Sequence, residues 1–251
     1  MLGLEQLLLF IISLIANIFS AFAGGGAGLI QFPVLIFLGL SFGIALATHK
    51  IASVALGVGA TIRNLREGAL NRRLTVSMLL FGLPGVILGA NIILLVPDRN
   101  AEIALGVLTA GLGLYSVFRP QLGMAQKDAD YSTQSLWVGG IVLFIIGALN
   151  GSLTSGTGLF VTLWLVSWFG LDYKRAVAHT LILVGLFWNG AGAITLTLLS
   201  EVKWSWLPAL ILGSLLGGYI GAHLAIVKGN RWIKRVYEAI TLLVGVKLII
   251  G

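Results

Sequence analysis

The chain has 251 residues, 58% of them hydrophobic and only 10% charged, where a typical soluble domain is about 25% charged. That composition excludes a soluble globular domain, a disordered chain and a collagen-like one. The formal charge of +7 comes from Lys and Arg in short loops between apolar runs, so it reports membrane topology rather than a nucleic-acid partner; the absence of Cys excludes disulfides, thiolate metal sites and cysteine nucleophiles.

The first basic residue is Lys50, so residues 1–22 lack the positive n-region of a signal peptide and read as part of the first helical region. Region 5–40 is longer than the roughly 20 apolar residues of one crossing. It is broken at Ala23-Gly24-Gly25-Gly26-Ala27-Gly28, which predicts a helix, a break and a shorter helix: a hairpin that re-enters or barely spans. Full spans are expected at 44–62, 74–96 and 102–118. The polar stretch 119–135 (Arg119, Pro120, Gln121, Lys127, Asp128, Asp130) then links two halves. A second broken hairpin is expected at 137–170, interrupted at Thr154-Ser155-Gly156-Thr157-Gly158. Spans at 176–199, 204–227 and 232–250 follow. The predicted fold class is an all-α polytopic membrane protein with two glycine-broken hairpins and six full spans.

A shift of about 131 residues lays 1–118 over 136–251. Gly26-Ala27-Gly28-Leu29 then falls on Gly156-Thr157-Gly158-Leu159, and Gly59 on Gly190; Gly85 and Gly89 fall on Gly217 and Gly221 with one more residue of shift. Transporters are commonly built from such repeats. If each broken hairpin returns to its starting side, the loops around 63–73, 119–135, 170–175 and 228–235 share one face and hold 12 of the 16 basic residues. The positive-inside rule then favours an inverted repeat with both termini outside.

Every Asp and Glu lies in or beside a loop, whereas His49, Lys50 and His179 lie within spans. Cation carriers usually place acids at depth, so the core is suited to an anion. Half-helices starting near Leu29 and Leu159 direct their positive ends at the breaks, and glycines let an anion approach that backbone closely. Gly25, Gly26, Gly28, Gln31, His49, Lys50, Thr154, Ser155, Gly156, Thr157, Gly158 and His179 are therefore the candidate substrate-binding residues. No catalytic residue, metal or cofactor is expected. The bland alternatives are that Lys50 snorkels to the headgroups, that the His side chains pack between helices, and that Gly85, Gly89, Gly217 and Gly221 serve helix packing. Trp137, Trp204, Trp206 and Trp232 read as interfacial anchors; Trp164, Trp168 and Trp188 lie deeper and are candidates for lining an organic-substrate pocket.

The glycine run at 23–28 leading to Pro33 and Gly39, the segment Ala45-Leu46-Ala47-Thr48-His49-Lys50, and in the second half Ser155-Gly156-Thr157-Gly158-Leu159-Phe160 with Ala176-Val177-Ala178-His179 together resemble the sulfite exporter TauE/SafE family over nearly the whole chain. The resemblance implies a multi-spanning carrier of sulfur-containing anions such as sulfite, thiosulfate or organosulfonates. The sequence departs from the family's frequent pattern at His49 and at Leu153-Thr154-Ser155, both at the expected site.

The leading expectation is a secondary transporter in the cell membrane that moves a small sulfur-containing anion by alternating access, with proton coupling through His49 or His179. Its partners are the anion and the lipid bilayer. An anion channel is the alternative, followed by an intramembrane hydrolase using Ser155 with His179.

Overall fold

In a computed structural model of the chain, residues 2–25, 27–65, 67, 70–92, 98–127, 131–153 and 156–250 are described, and among them the regular structure is entirely helical. The elements are α1 (Leu2–Ala23), a 3-10 turn (Ala27–Leu29), α2 (Gln31–Phe37), α3 (Phe42–Asn64), α4 (Arg72–Ile92), α5 (Asp98–Val117), α6 (Thr133–Ser152), α7 (Thr157–Ser167), α8 (Tyr173–His179), a π-helical stretch (Thr180–Trp188), α9 (Asn189–Leu199), α10 (Leu207–Lys228) and α11 (Asn230–Ile250). Local chemistry sets several of these ends. Asp172 caps α8 by accepting from the Arg175 N–H at 2.8 Å, Ser132 caps α6 by accepting from the Ser135 N–H, and Pro208 sits in the first turn of α10, where its missing N–H costs nothing.

Among the described residues, six helices are long and apolar enough to cross a membrane: Gly3–Ala23, Phe42–Asn64, Arg72–Ile92, Thr133–Ser152, Tyr173–Leu199 and Trp204–Lys228. The set differs from the six expected. The first helix of each glycine-broken region qualifies by itself, while α5 and α11 do not. The apolar pattern of α11 is interrupted by Arg231, Lys234, Arg235 and Glu238. Lys234 is nevertheless buried, its Nζ donating to the Ser116 carbonyl at 2.7 Å and to the Arg119 carbonyl at 3.0 Å, so α11 packs its charged end onto the end of α5. With seven residues α2 is only about 10 Å long at 1.5 Å per residue, a third of the hydrocarbon core.

Glycine contacts give the helix directions. Gly213, Gly217 and Gly221 of α10 lie on the backbone of Phe10, Leu14 and Ile18 of α1, and Gly85 and Gly89 of α4 lie on that of Phe144 and Ala148 of α6. Numbers rise together in both pairs, so each pair is parallel. Between α3 and the continuous helix Tyr173–Leu199 the order is reversed: Gly43 meets Ser200, Lys50 meets Asn189, and Gly57 meets Gly185. The α5 and α11 pair is antiparallel too, with Gly106 on Gly245 and Gly113 on Thr241.

One end of the bundle collects the basic loops. Lys174 pairs with Glu67 at 3.2 Å, and the Lys127 N–H donates to the Gly170 carbonyl and that of Tyr173 to the Gly123 carbonyl. Asn230 bridges the Lys174 N–H and the Met124 carbonyl. Hydrogen bonds from Lys174 and then Arg63 hold the Glu67 carboxyl below its ordinary pKa, so the clasp between the α3–α4 loop and α8 stays charged at neutral pH.

Candidate functional site

The site begins where α1 ends. Gly24 (φ 89°) and Gly25 (φ 132°) adopt backbone conformations that a side chain strains, and both donate their N–H to the Ser20 carbonyl, at 3.0 and 2.7 Å. The second break meets the first face to face: a Cβ on Gly25 would lie 2.5 Å from the Gly158 Cα. Gly156 precedes α7 in the left-handed region at φ 72°. Thr162 ties the junction together, its hydroxyl donating to the Gly24 carbonyl at 2.8 Å and lying in hydrogen-bond contact with the Thr180 hydroxyl at 2.9 Å.

Around this junction is a cavity of about 40 Å3, room for a few water-sized groups. Gly25, Ala27 and Gly28 of the first break face Thr157 and Gly158 of the second, His49 and Ser53 of α3 close one side, and Asn150 and Asn189 close another. Thr180, Val184 and Gly185 enter from the π-helical stretch, an irregularity that recurs at functional sites. Lys50 reaches the wall through the asparagines. It is fully buried (0% exposed), and its Nζ donates to Asn150 Oδ1 at 2.8 Å and Asn189 Oδ1 at 3.1 Å. Asn150 passes the network on, donating to the Thr157 hydroxyl at 2.8 Å. His49 shares Nε2 with the Ser53 hydroxyl at 3.1 Å, while its Nδ1 is buried without a partner.

Of the expected residues, Gly25, Gly28, His49, Thr157 and Gly158 line the cavity and Lys50 adjoins it. Gly26, Thr154 and Ser155 lie outside the described residues. Gly156 shapes the entry to α7 without lining the cavity. Gln31 is buried in another cluster, accepting from Asn17 Nδ2 at 2.9 Å. His179 is also placed elsewhere: its Nε2 accepts the Asn71 N–H and its Nδ1 pairs with the Arg175 carbonyl, both at 2.9 Å. Both ring nitrogens are thus committed to backbone. His179→Ala is therefore expected to lower stability by roughly 1–3 kcal/mol, the range for a broken buried hydrogen bond, and to leave the pH profile of transport unchanged; thermal unfolding in detergent and a pH series of uptake check both halves.

Asn189, Thr180, Ser20 and Ser53 also line the cavity and carry no motif in the sequence; their only signal there is a polar side chain within an apolar span. The tryptophans divide. Trp188 is fully buried against Gly82, donating to the Met78 carbonyl at 3.1 Å. Trp164 and Trp168 stack at 5.2 Å and line a separate apolar cleft with Leu112 and Ile145. Trp206 is buried, with the Lys203 ammonium over its ring.

Membrane-length helices around an acid-free cavity at two helix breaks describe a multi-pass membrane protein with the architecture of a transporter. The chain belongs to the sulfite exporter TauE/SafE family, whose model matches residues 9–248. It is 28% identical over 249 residues to a probable membrane transporter protein of Haemophilus influenzae, covering 98% of this chain and 96% of that one. It is 27% identical over 244 residues to the probable membrane transporter protein YfcA of Escherichia coli strain K12, covering 96% and 88%, and 23% identical over 265 residues to the probable membrane transporter protein YunE of Bacillus subtilis, covering 96% of each. These relatives are named as transporters, in keeping with a protein that is not an enzyme. No solved structure matches.

Proposed function

We propose that the chain is a secondary carrier of a small sulfur-containing anion (sulfite, thiosulfate or a short organosulfonate) that works by alternating access about the cavity between the glycine breaks. One observation carries the reading: the fully buried Lys50 Nζ beside that cavity is held by two neutral asparagine carbonyls, with no carboxylate among the described residues around it to balance its ammonium form. A buried charge left without a counter-charge is costly, and an anion in the cavity would supply one. The α7 N-terminus adds the positive end of its dipole, and Gly25 and Gly158 let oxygens approach the backbone. The cavity volume suits a small head group.

The helix directions support an inverted repeat. Counterparts at the 131-residue shift, α3 against Tyr173–Leu199 and α5 against α11, run antiparallel, as a two-fold axis in the membrane plane requires. Equivalent glycines also meet equivalent carbonyls: Gly85 lies on Phe144 as Gly217 lies on Leu14, and Gly89 on Ala148 as Gly221 on Ile18. In this reading the α1–α10 and α4–α6 pairs move as rigid units, and the backbone contact of Gly57 with Gly185 is where the halves rock.

The basic end is then cytoplasmic. Single Cys residues replacing Gln121 and Lys228 of this cysteine-free chain are expected to react with a membrane-impermeant maleimide only from the cytoplasmic side, and Cys in place of Glu201 only from the outside. Labelling of Gln121→Cys and Lys228→Cys from opposite sides would remove the inverted repeat. The substrate class is tested by saturable uptake into proteoliposomes with sulfite, thiosulfate, sulfate and a two-carbon sulfonate in competition; indifference to all four would remove it.

A further inference from the structure

Lys50 is built for two charge states. A neutral amine has two N–H donors and an ammonium has three. The structure gives Nζ two acceptors, Asn150 Oδ1 and Asn189 Oδ1, both on residues that line the cavity. The neutral amine is therefore satisfied by the protein alone. The ammonium has one further N–H without a protein acceptor among the described residues, and its charge has no acid to balance it. The surrounding elements supply none: α2, α6, α7, α9 and the π-helical stretch contain no ionisable residue. On α3 the neighbours are His49, which lines the cavity, and Arg63 at the far end. Helix α10 contributes His223, which accepts from Arg63 Nε, and Lys228 in its last turn; α4 contributes Arg72 and Arg73 at its start, and α1 contributes Glu5 in its first turn. Arg63, Lys228, Arg72, Arg73 and Glu5 stand at helix ends and His223 lies five residues before the end of α10; α8, packed against α3, adds Lys174 and Arg175 in its first turn and His179, both of whose ring nitrogens are bonded to backbone.

Resting on the carrier reading above, we propose that Lys50 carries the coupling proton: the amine takes a proton from water as the anion enters the cavity, and returns it on the other side as the anion leaves. The bound anion accepts the third N–H and balances the charge. The empty carrier reorients with a neutral amine held by the two asparagines, and the loaded carrier of a monovalent anion reorients with no net charge at the site. One proton crosses with each anion, and anion flux is driven by the proton gradient.

The test uses the purified full chain in proteoliposomes with a two-carbon alkanesulfonate, whose head group stays ionised across the neutral range and so moves no proton by itself. An imposed proton gradient is expected to drive accumulation of the sulfonate, and an entrapped pH dye is expected to report one proton entering per anion. Arginine stays protonated at any working pH, so Lys50→Arg is expected to show sulfonate counterflow at weakened affinity, measured at saturating sulfonate, while gradient-driven accumulation falls to the equilibrium level. His49→Gln is expected to keep the ratio of one proton per anion whatever its rate. Sulfonate entry without protons in the wild-type chain overturns the proposal even if the arginine variant does not fold, and so does a proton ratio lost in His49→Gln but kept in Lys50→Arg. Saturable sulfur-anion flux without proton movement leaves the carrier reading standing and removes only Lys50 as proton carrier; no saturable flux of any sulfur anion removes both.

Discussion

Lys50→Ala is expected to raise the apparent KM for thiosulfate or a short sulfonate by about ten- to a hundredfold. The ammonium is fully buried, so the contact it makes with an anion is not diluted by water. A hydrogen bond to a charged group is worth roughly 1.5–3 kcal/mol, and about 1.4 kcal/mol corresponds to one decade in affinity. The truncation also leaves the Asn150 and Asn189 carbonyls without their donor, which adds a repulsive face to the cavity. Lys50→Arg keeps the charge in a flat, wider head, and the stem runs 3.4 Å from where a Cβ on Gly192 would lie; partial recovery of affinity is therefore expected. A near-normal KM in both variants, measured as concentration dependence of initial uptake, would show that the buried ammonium does not meet the substrate.

Gly25→Val is expected to abolish transport. The substitution places a β-carbon 2.5 Å from the Gly158 Cα and 2.6 Å from its carbonyl carbon, atoms that cannot rotate away, and it asks a branched residue to hold φ 132°, a region nearly closed to it. The two breaks would have to separate, and the cavity exists only where they meet. Gly190→Ala is the contrasting case, since a β-carbon there meets nothing within 4 Å; its transport is expected to be normal. Membrane protein level and uptake for both variants decide the point. Equal uptake by Gly25→Val and Gly190→Ala at equal level would show that close approach of the breaks is dispensable.

Much of this was legible in the sequence because the membrane makes the code simple. Apolar length alone marks helices; α1 ends at Ala23, where the first glycine run begins, and Gly156 of the second run directly precedes the start of α7. The glycines at spacing four, Gly85 with Gly89 and Gly217 with Gly221, read as packing residues, and they do lie on neighbouring carbonyls. Other features depended on partners that periodicity does not reveal. His49 and His179 look alike in sequence, one residue apart in the aligned halves, yet only His49 faces the cavity; His179 is turned to the Asn71 N–H, a contact across 108 residues. Asn189 became visible only when Lys50 was seen to reach it. Snorkelling was a fair alternative for a lysine early in a span. It fails here because α6 and α9 bring carbonyls within 3.1 Å of its head. The π-helical stretch has no sequence signature in this chain, and it carries three of the lining residues named above.

The central claim, that a small sulfur anion is carried rather than conducted, is tested most directly by counterflow. Proteoliposomes preloaded with unlabelled thiosulfate or a two-carbon sulfonate are diluted into a trace of the labelled anion, with no ion gradient imposed. A carrier is expected to accumulate label transiently above its external concentration, with a rate that saturates and that depends on the anion inside. Label that only equilibrates, at a rate linear in concentration and indifferent to the internal anion, would contradict alternating access at this cavity.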